Sequence, residues 1–347
     1  DLARNFRVGE GGKDNPFGAG TLEFLPQDVY STRSIPHVSS RYPLWDDPDL
    51  PRAVAAGEHY LPNAPTGGRE TLITSPIHAR PQYVIQMPGP SWSHVLAAGF
   101  TAAFFLLLTV KLVTPALVCG ALAILSCLVW VWGIDKGPDK GPVDIGGGLN
   151  LSVYVTGPMA HGWWAMIVLM VVAGSLFFAY LFSYLYLWTV SPDAWHAGRP
   201  YLPAPLRPFL SALLLIISAG VIWYARRCLK APGYRSLMSA GLVLLAALFA
   251  CAGLGLEFQG HWAQGLRPQS SSYAAMVYLG IILSAQIMLA ILIMCFYCIA
   301  RILAGKLDCI RVASLENTSL LLYYLVGQAL LGLLLIHGFP RIMGPLA

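Results

Sequence analysis

A chain of 347 residues that is 56% hydrophobic and only 11% charged has too little charge to coat a water-exposed surface. Soluble domains carry roughly a quarter charged residues, so the composition and a mean hydropathy of +0.61 exclude that class and predict an all-α membrane protein. The net charge of +5 comes with no dense basic run, which excludes nucleic acid as a partner and assigns the cations to membrane orientation.

Residues 1–92 form a polar, proline-rich arm, predicted to be extended and irregular. It has no basic n-region and no apolar start, so no signal peptide is legible, and the arm reads as the tail of a preceding region. Seven apolar stretches follow, each close to the roughly 20 residues of helix that a 30 Å hydrocarbon core requires. They cover 94–113, 114–133, 162–190, 208–225, 236–256, 273–303 and 320–338. The first two touch near Lys111, Thr114 and Pro115 and so predict a tight helical hairpin. A Gly/Pro-rich linker, 134–161, separates that hairpin (93–133) from the five-helix region (162–347), and its composition suits a flexible surface connection.

Lys136, Lys140, Arg226, Arg227, Lys230, Arg235, Arg301, Lys306 and Arg311 fall in loops on one side, together with the eight cations of the arm. Lys111, Arg199, Arg207, Arg267 and Arg341 fall on the other. This excess places the arm inside and the C-terminus outside, as an odd number of spans requires. Trp163, Trp164, Trp188, Trp223 and Trp262 sit near span ends, where an aromatic belt is expected.

Ionisable groups at membrane depth mark ion and substrate pathways, and this chain has almost none. Lys111 can snorkel from its helix end, His161 and His337 mark span edges, and Gln286 and Gln328 lie mid-span as interhelical hydrogen-bonding groups. Glu257 lies just beyond the fifth span, close to His261, where it could meet a lipid amine or a partner's arginine. Glu257, His261, Arg226 and Arg227 are therefore the candidate lipid or partner contacts. Cys295 and Cys298 make a C-x-x-C within a span, with no second Cys or His pair to complete a metal site. No G-x-S-x-G, P-loop, H-E-x-x-H or C-x-x-C-H occurs, and no two histidines lie i, i+4 within one span. The sequence thus predicts no catalytic, cofactor-binding or metal-binding residue.

The run NPFGAGTLEF at 15–24 resembles the block N-P-W-x-A-x-T-L-E-W that follows the last helix of subunit I in haem–copper cytochrome oxidases, with Phe17 and Phe24 at the two Trp positions. The stretch from Ile35-Pro36 to Pro43-Leu44-Trp45-Asp46 is similar to the longer tails of bacterial forms. The seven spans resemble subunit III of the same enzymes, through Phe177-Phe178-Ala179 in the third and Ser218-Ala219-Gly220 with Trp223-Tyr224-Ala225 in the fourth. Together they resemble the C-terminal part of a fused subunit I/III polypeptide. The departures are Gly174 at the family's buried Glu of the third helix, Ser284-Ala285-Gln286 near its H-G-x-x-H, and no Trp-x-x-His between 323 and 328.

The resemblance implies a non-catalytic, stabilising part of a proton-pumping terminal oxidase in a bacterial inner membrane. Its partners would be subunit I, subunit II and, through the complex, cytochrome c, with bound phospholipid. Haems and copper would lie elsewhere in the complex, and this segment would hold no cofactor. Asp135, Asp139 and Asp144 of the linker would stand near the mouth of a proton-uptake channel. A quinol oxidase of the same superfamily, or an unrelated seven-helix transporter or receptor, is the alternative.

Overall fold

The computed structural model describes residues 15–25, 34–62, 69–87, 91–134, 142–146, 148–153, 155, 160–198, 202–230, 236–309 and 311–342. It divides into two compact units at Gly157/Pro158, within the linker.

The first unit is more ordered than an irregular arm. Asn15 closes a short loop on itself: its side-chain nitrogen donates to the Ala19 carbonyl (2.8 Å) and its Oδ1 accepts from the Ala19 amide (2.9 Å). Gly18, at φ +61°, supplies the left-handed turn that L side chains resist. A 3₁₀ turn over Leu22–Phe24 follows, and α1 (Pro43–Asp46) and α2 (Leu50–Ala56) pack back on it through Leu25, Leu44, Leu50 and Val54. Strands β1 (Glu70–Thr74) and β2 (Pro81–Gln86) form an antiparallel hairpin.

The described residues of the linker carry regular structure as well. Its strands β3 (Pro142–Asp144) and β4 (Asn150–Ser152) make a second hairpin, and β4 joins β2 in parallel to give the order β1-β2-β4-β3. Gly146 and Gly148 turn that hairpin at positive φ. Pairing with the arm's strand is a tertiary event, and local composition gave no sign of it. The same unit holds α3 (Ser93–Thr109) and α4 (Val113–Ile134), packed on each other through a turn in which Lys111 adopts φ +61°.

The second unit contains α5 (His161–Val190), the short α6 (Pro192–Gly198), α7 (Leu206–Lys230), α8 (Ser236–Ala263), α9 (Ser272–Leu303) and α10 (Ala313–Leu333). A π-helical turn (Leu334–Gly338) and α11 (Phe339–Ile342) continue α10. Helices α4, α5, α7, α8 and α9, and the run Ala313–Ile342, are long and apolar enough to cross a membrane; α3 is apolar but 17 residues long.

The packing pattern is legible in the chain. On α7 the buried positions are Pro208, Ser211, Leu215, Ser218, Ile222, Ala225 and Leu229, alternating steps of three and four. On α8 they are Ser239, Val243, Ala246, Ala250, Gly253, Glu257 and Gly260, with Ala240, Ala247 and His261 beside them. Such a small-residue face lets backbones approach closely, which is how helices associate where the surroundings are as apolar as the side chains. Ser211 Oγ donates to the Gly253 carbonyl across this contact at 2.8 Å. Helix α10 packs on α5, α7 and α9, and α9 also packs on α8 and α5. A second, aromatic cluster of Phe177, Tyr180, Tyr184, Trp195, Tyr273 and Tyr278 fills the end of the unit where α8 finishes and α9 begins.

Candidate functional site

Apolar counting ends the fifth span at residue 256, but α8 runs on to Ala263, so Glu257 and His261 lie within the helix. The polar run Glu257-Phe-Gln-Gly-His261 stays helical because its buried members continue the small-residue face. The helix then stops at Gly265 (φ +84°), where the Leu266 amide donates back to the His261 carbonyl at 3.2 Å. Glu257 is 6% exposed and His261 fully buried, so neither presents an open lipid or partner contact.

What meets Glu257 is a third residue, His337. Its Nε2 lies 2.6 Å from Glu257 Oε1, and His261 Nε2 lies 3.1 Å from the same oxygen. The imidazoles stack with centroids 5.1 Å apart and planes 21° apart. His337 sits inside the π-helical turn, an element that recurs at functional sites because its extra residue re-aims a side chain. Arg341 donates to the His337 carbonyl and to the Pro203 carbonyl, both at 2.8 Å, which ties this turn to the segment before α7.

The Nδ1 atoms of both histidines, Tyr180 Oη and Tyr273 Oη are buried and have no hydrogen-bond partner among the described residues. Natural proteins leave few such groups. A cavity of about 20 Å³ adjoins the carboxylate, lined by Glu257, Ser211, Gly280, Ser284, Gly332 and Ile336 among others. One carboxylate and two imidazoles, with ligand atoms all within 4.8 Å, form the one His/Cys/Asp/Glu group of metal-binding geometry among the described residues. Chemically the trio can share protons along two short hydrogen bonds or coordinate a cation.

The remaining candidates lie elsewhere. Arg226 and Arg227 end α7, which packs antiparallel to α8 so that Leu215 meets Gly253; this puts them roughly 25 Å along the bundle from Glu257. Arg226 and Lys230 reach Glu316 of α10 at 3.3 and 2.7 Å, and the Arg227 guanidinium stacks 4.0 Å over Trp223. These cations and Trp223 line an open cavity of about 410 Å³. Asp144 is exposed and accepts the Gly146 amide at 2.9 Å, which fixes the β3–β4 turn. Asp135 and Asp139 lie outside the described residues.

Cys295 and Cys298 are buried between helices, with Cys298 Sγ 3.4 Å from Thr318 Oγ1. Gln328 is buried and reaches Ser284 Oγ at 3.5 Å, whereas Gln286 faces outward.

The i, i+4 histidine rule missed the cluster because its histidines come from two helices. One signal was available: Glu257 follows Ser239, Val243, Ala246, Ala250 and Gly253 at steps of three and four, which marks it as buried. Burial alone demands a partner for a carboxylate. No protein-family profile matches the chain, and no curated protein matches it.

Proposed function

We propose that this chain is a non-catalytic, subunit III-like part of a bacterial terminal oxidase, continuous with the tail of subunit I. Its role is to pack on the catalytic subunit and hold lipid beside it. The observation that carries the reading is the block NPFGAGTLEF followed by apolar segments grouped two and five. Phe177-Phe178-Ala179 and the Ser218 to Ala225 stretch support it. So does the division into an arm with a helical hairpin and a separate five-helix unit.

In this reading α3 is the first of seven spans. Its 17 residues give roughly 25 Å of helix, at the short end of what crosses a bilayer. The arm faces the cytoplasm and the C-terminus the periplasm, as the cation distribution predicts. Outward apolar residues on α5, among them Val168, Val172, Phe178 and Phe182, supply a surface for lipid or for a larger helical partner. Haem and copper belong to the rest of the complex, and cytochrome c is the electron donor.

The test is to tag the native chain, solubilise the membrane gently and analyse what copurifies. The expected result is a haem-containing complex that consumes oxygen, with these peptides in a polypeptide large enough to include subunit I. Recovery without haem or oxygen consumption, from a membrane that retains oxidase activity, would overturn the proposal. A haem complex oxidising quinol but not cytochrome c would move it to the quinol branch.

A further inference from the structure

We infer that Glu257, His261 and His337 form a binding site for one divalent transition-metal ion of the Zn²⁺ class. Two imidazoles and one carboxylate are a donor set that suits Zn²⁺ and its neighbours, and three protein ligands leave one position for an exogenous molecule. Both imidazole Nε2 atoms already converge on one carboxylate oxygen, at 3.1 and 2.6 Å. Ligands about 2.1 Å from a tetrahedral ion stand roughly 3.4 Å apart, and the three ligand atoms here already lie within 4.8 Å of one another.

The surroundings favour a cation over a purely hydrogen-bonded trio. Glu257 is buried in an apolar bundle, and its described polar partners are the two histidines. With neutral imidazoles its charge is uncompensated, which is costly in such an environment. A dication neutralises the carboxylate and, as the Nε2 protons that now point at Glu257 are released, binds both imidazole nitrogens. The adjoining cavity of about 20 Å³ is large enough for one water molecule as fourth ligand, with Ser211 and Ser284 among its lining residues. Tyr180 Oη lies against Gly280, which lines the same cavity. The π-helical turn provides the third ligand, since its extra residue brings both Ile336 and His337 to the buried face.

Among the described residues, neither Nδ1 has an acceptor to brace its ring. Losing such braces weakens metal sites roughly 10–100-fold, so the affinity falls below that of a fully braced site.

This inference does not rest on the oxidase proposal, because metal uptake is measured without turnover. The full chain, in detergent with its native companions, is treated with a chelator, desalted and titrated with Co²⁺. One equivalent is expected, with an X-ray absorption shell of two imidazole nitrogens and oxygen, and Zn²⁺ should displace it. Glu257→Gln and His337→Gln should each weaken Co²⁺ at least about 100-fold, since removing a ligand costs no less than removing its brace. A wild-type chain that takes up no Co²⁺, or takes it up with an all-oxygen or sulfur-containing shell, overturns the inference even if the variants fail to fold. Uptake unchanged in folded variants overturns it as well.

Discussion

Gly280 shows how narrowly the residues around the buried carboxylate are fitted. A Cβ built there would lie 2.8 Å from Tyr180 Cζ and closer still to its hydroxyl, and Tyr180 is itself only 3% exposed. Gly280→Ala is therefore expected to lower stability by about 1–3 kcal/mol, as overpacking does in closed cores. Thermal unfolding in detergent measures it. The double variant Gly280→Ala/Tyr180→Leu should cost less than the sum of its parts, because the same clash is counted in only one of them. Glu257→Ala tests the neighbouring interaction. It strands two buried imidazoles, and a loss of about 1–3 kcal/mol for each is expected in the same assay, the cost of leaving a buried polar group unsatisfied. A change below about 1 kcal/mol would mean that the trio contributes little to holding α8 against the π-helical turn.

At the scale of elements, two contacts of similar appearance should differ in weight. Glu316 joins α10 to the end of α7 through Arg226 and Lys230, but its side chain is 28% exposed and that of Lys230 is 50% exposed. Glu316→Gln is expected to cost about 1 kcal/mol or less, and less again at high salt, because water and ions screen the pair. The arm offers the contrast. Trp45 Nε1 donates to the Gly18 carbonyl at 2.9 Å, and a Cβ at Gly20 would meet the Trp45 ring at 2.6 Å. Since Trp45 is 61% exposed, its ring can swing outward, so Gly20→Ala should free the indole at a cost of only about 1 kcal/mol. The expected readout is a red shift of Trp45 emission in a variant whose other tryptophans are replaced by Phe. An unshifted spectrum would show that the NPFGAG turn does not hold that ring.

For the whole molecule, the proposed role makes the linker carboxylates a test at the level of the complex. If Asp135, Asp139 and Asp144 supply protons to a partner's channel, replacing all three by Asn should slow turnover and shift its pH dependence. Asp144 has a second duty in the β3–β4 turn, where its carboxylate accepts the Gly146 amide. Asn can keep that hydrogen bond, so the triple Asn variant separates loss of charge from loss of the turn. Oxygen consumption across a pH series with unchanged rate and midpoint would remove the proton-uptake role and leave the packing role standing.

Composition and span length were enough to specify an apolar, mostly helical protein, and the buried positions of α7 and α8 follow the three-and-four spacing of one helix face. These are local and periodic properties, set by the cost of exposing backbone to hydrocarbon and by the fit of one helix surface on another. The tertiary structure decided the rest. It paired the linker's strand β4 with the arm's β2, continued α8 through a polar run, and carried His337 to a carboxylate 80 residues earlier in the chain. Each of these depends on a partner far away in sequence, and no window of neighbouring residues contains both halves of such a contact.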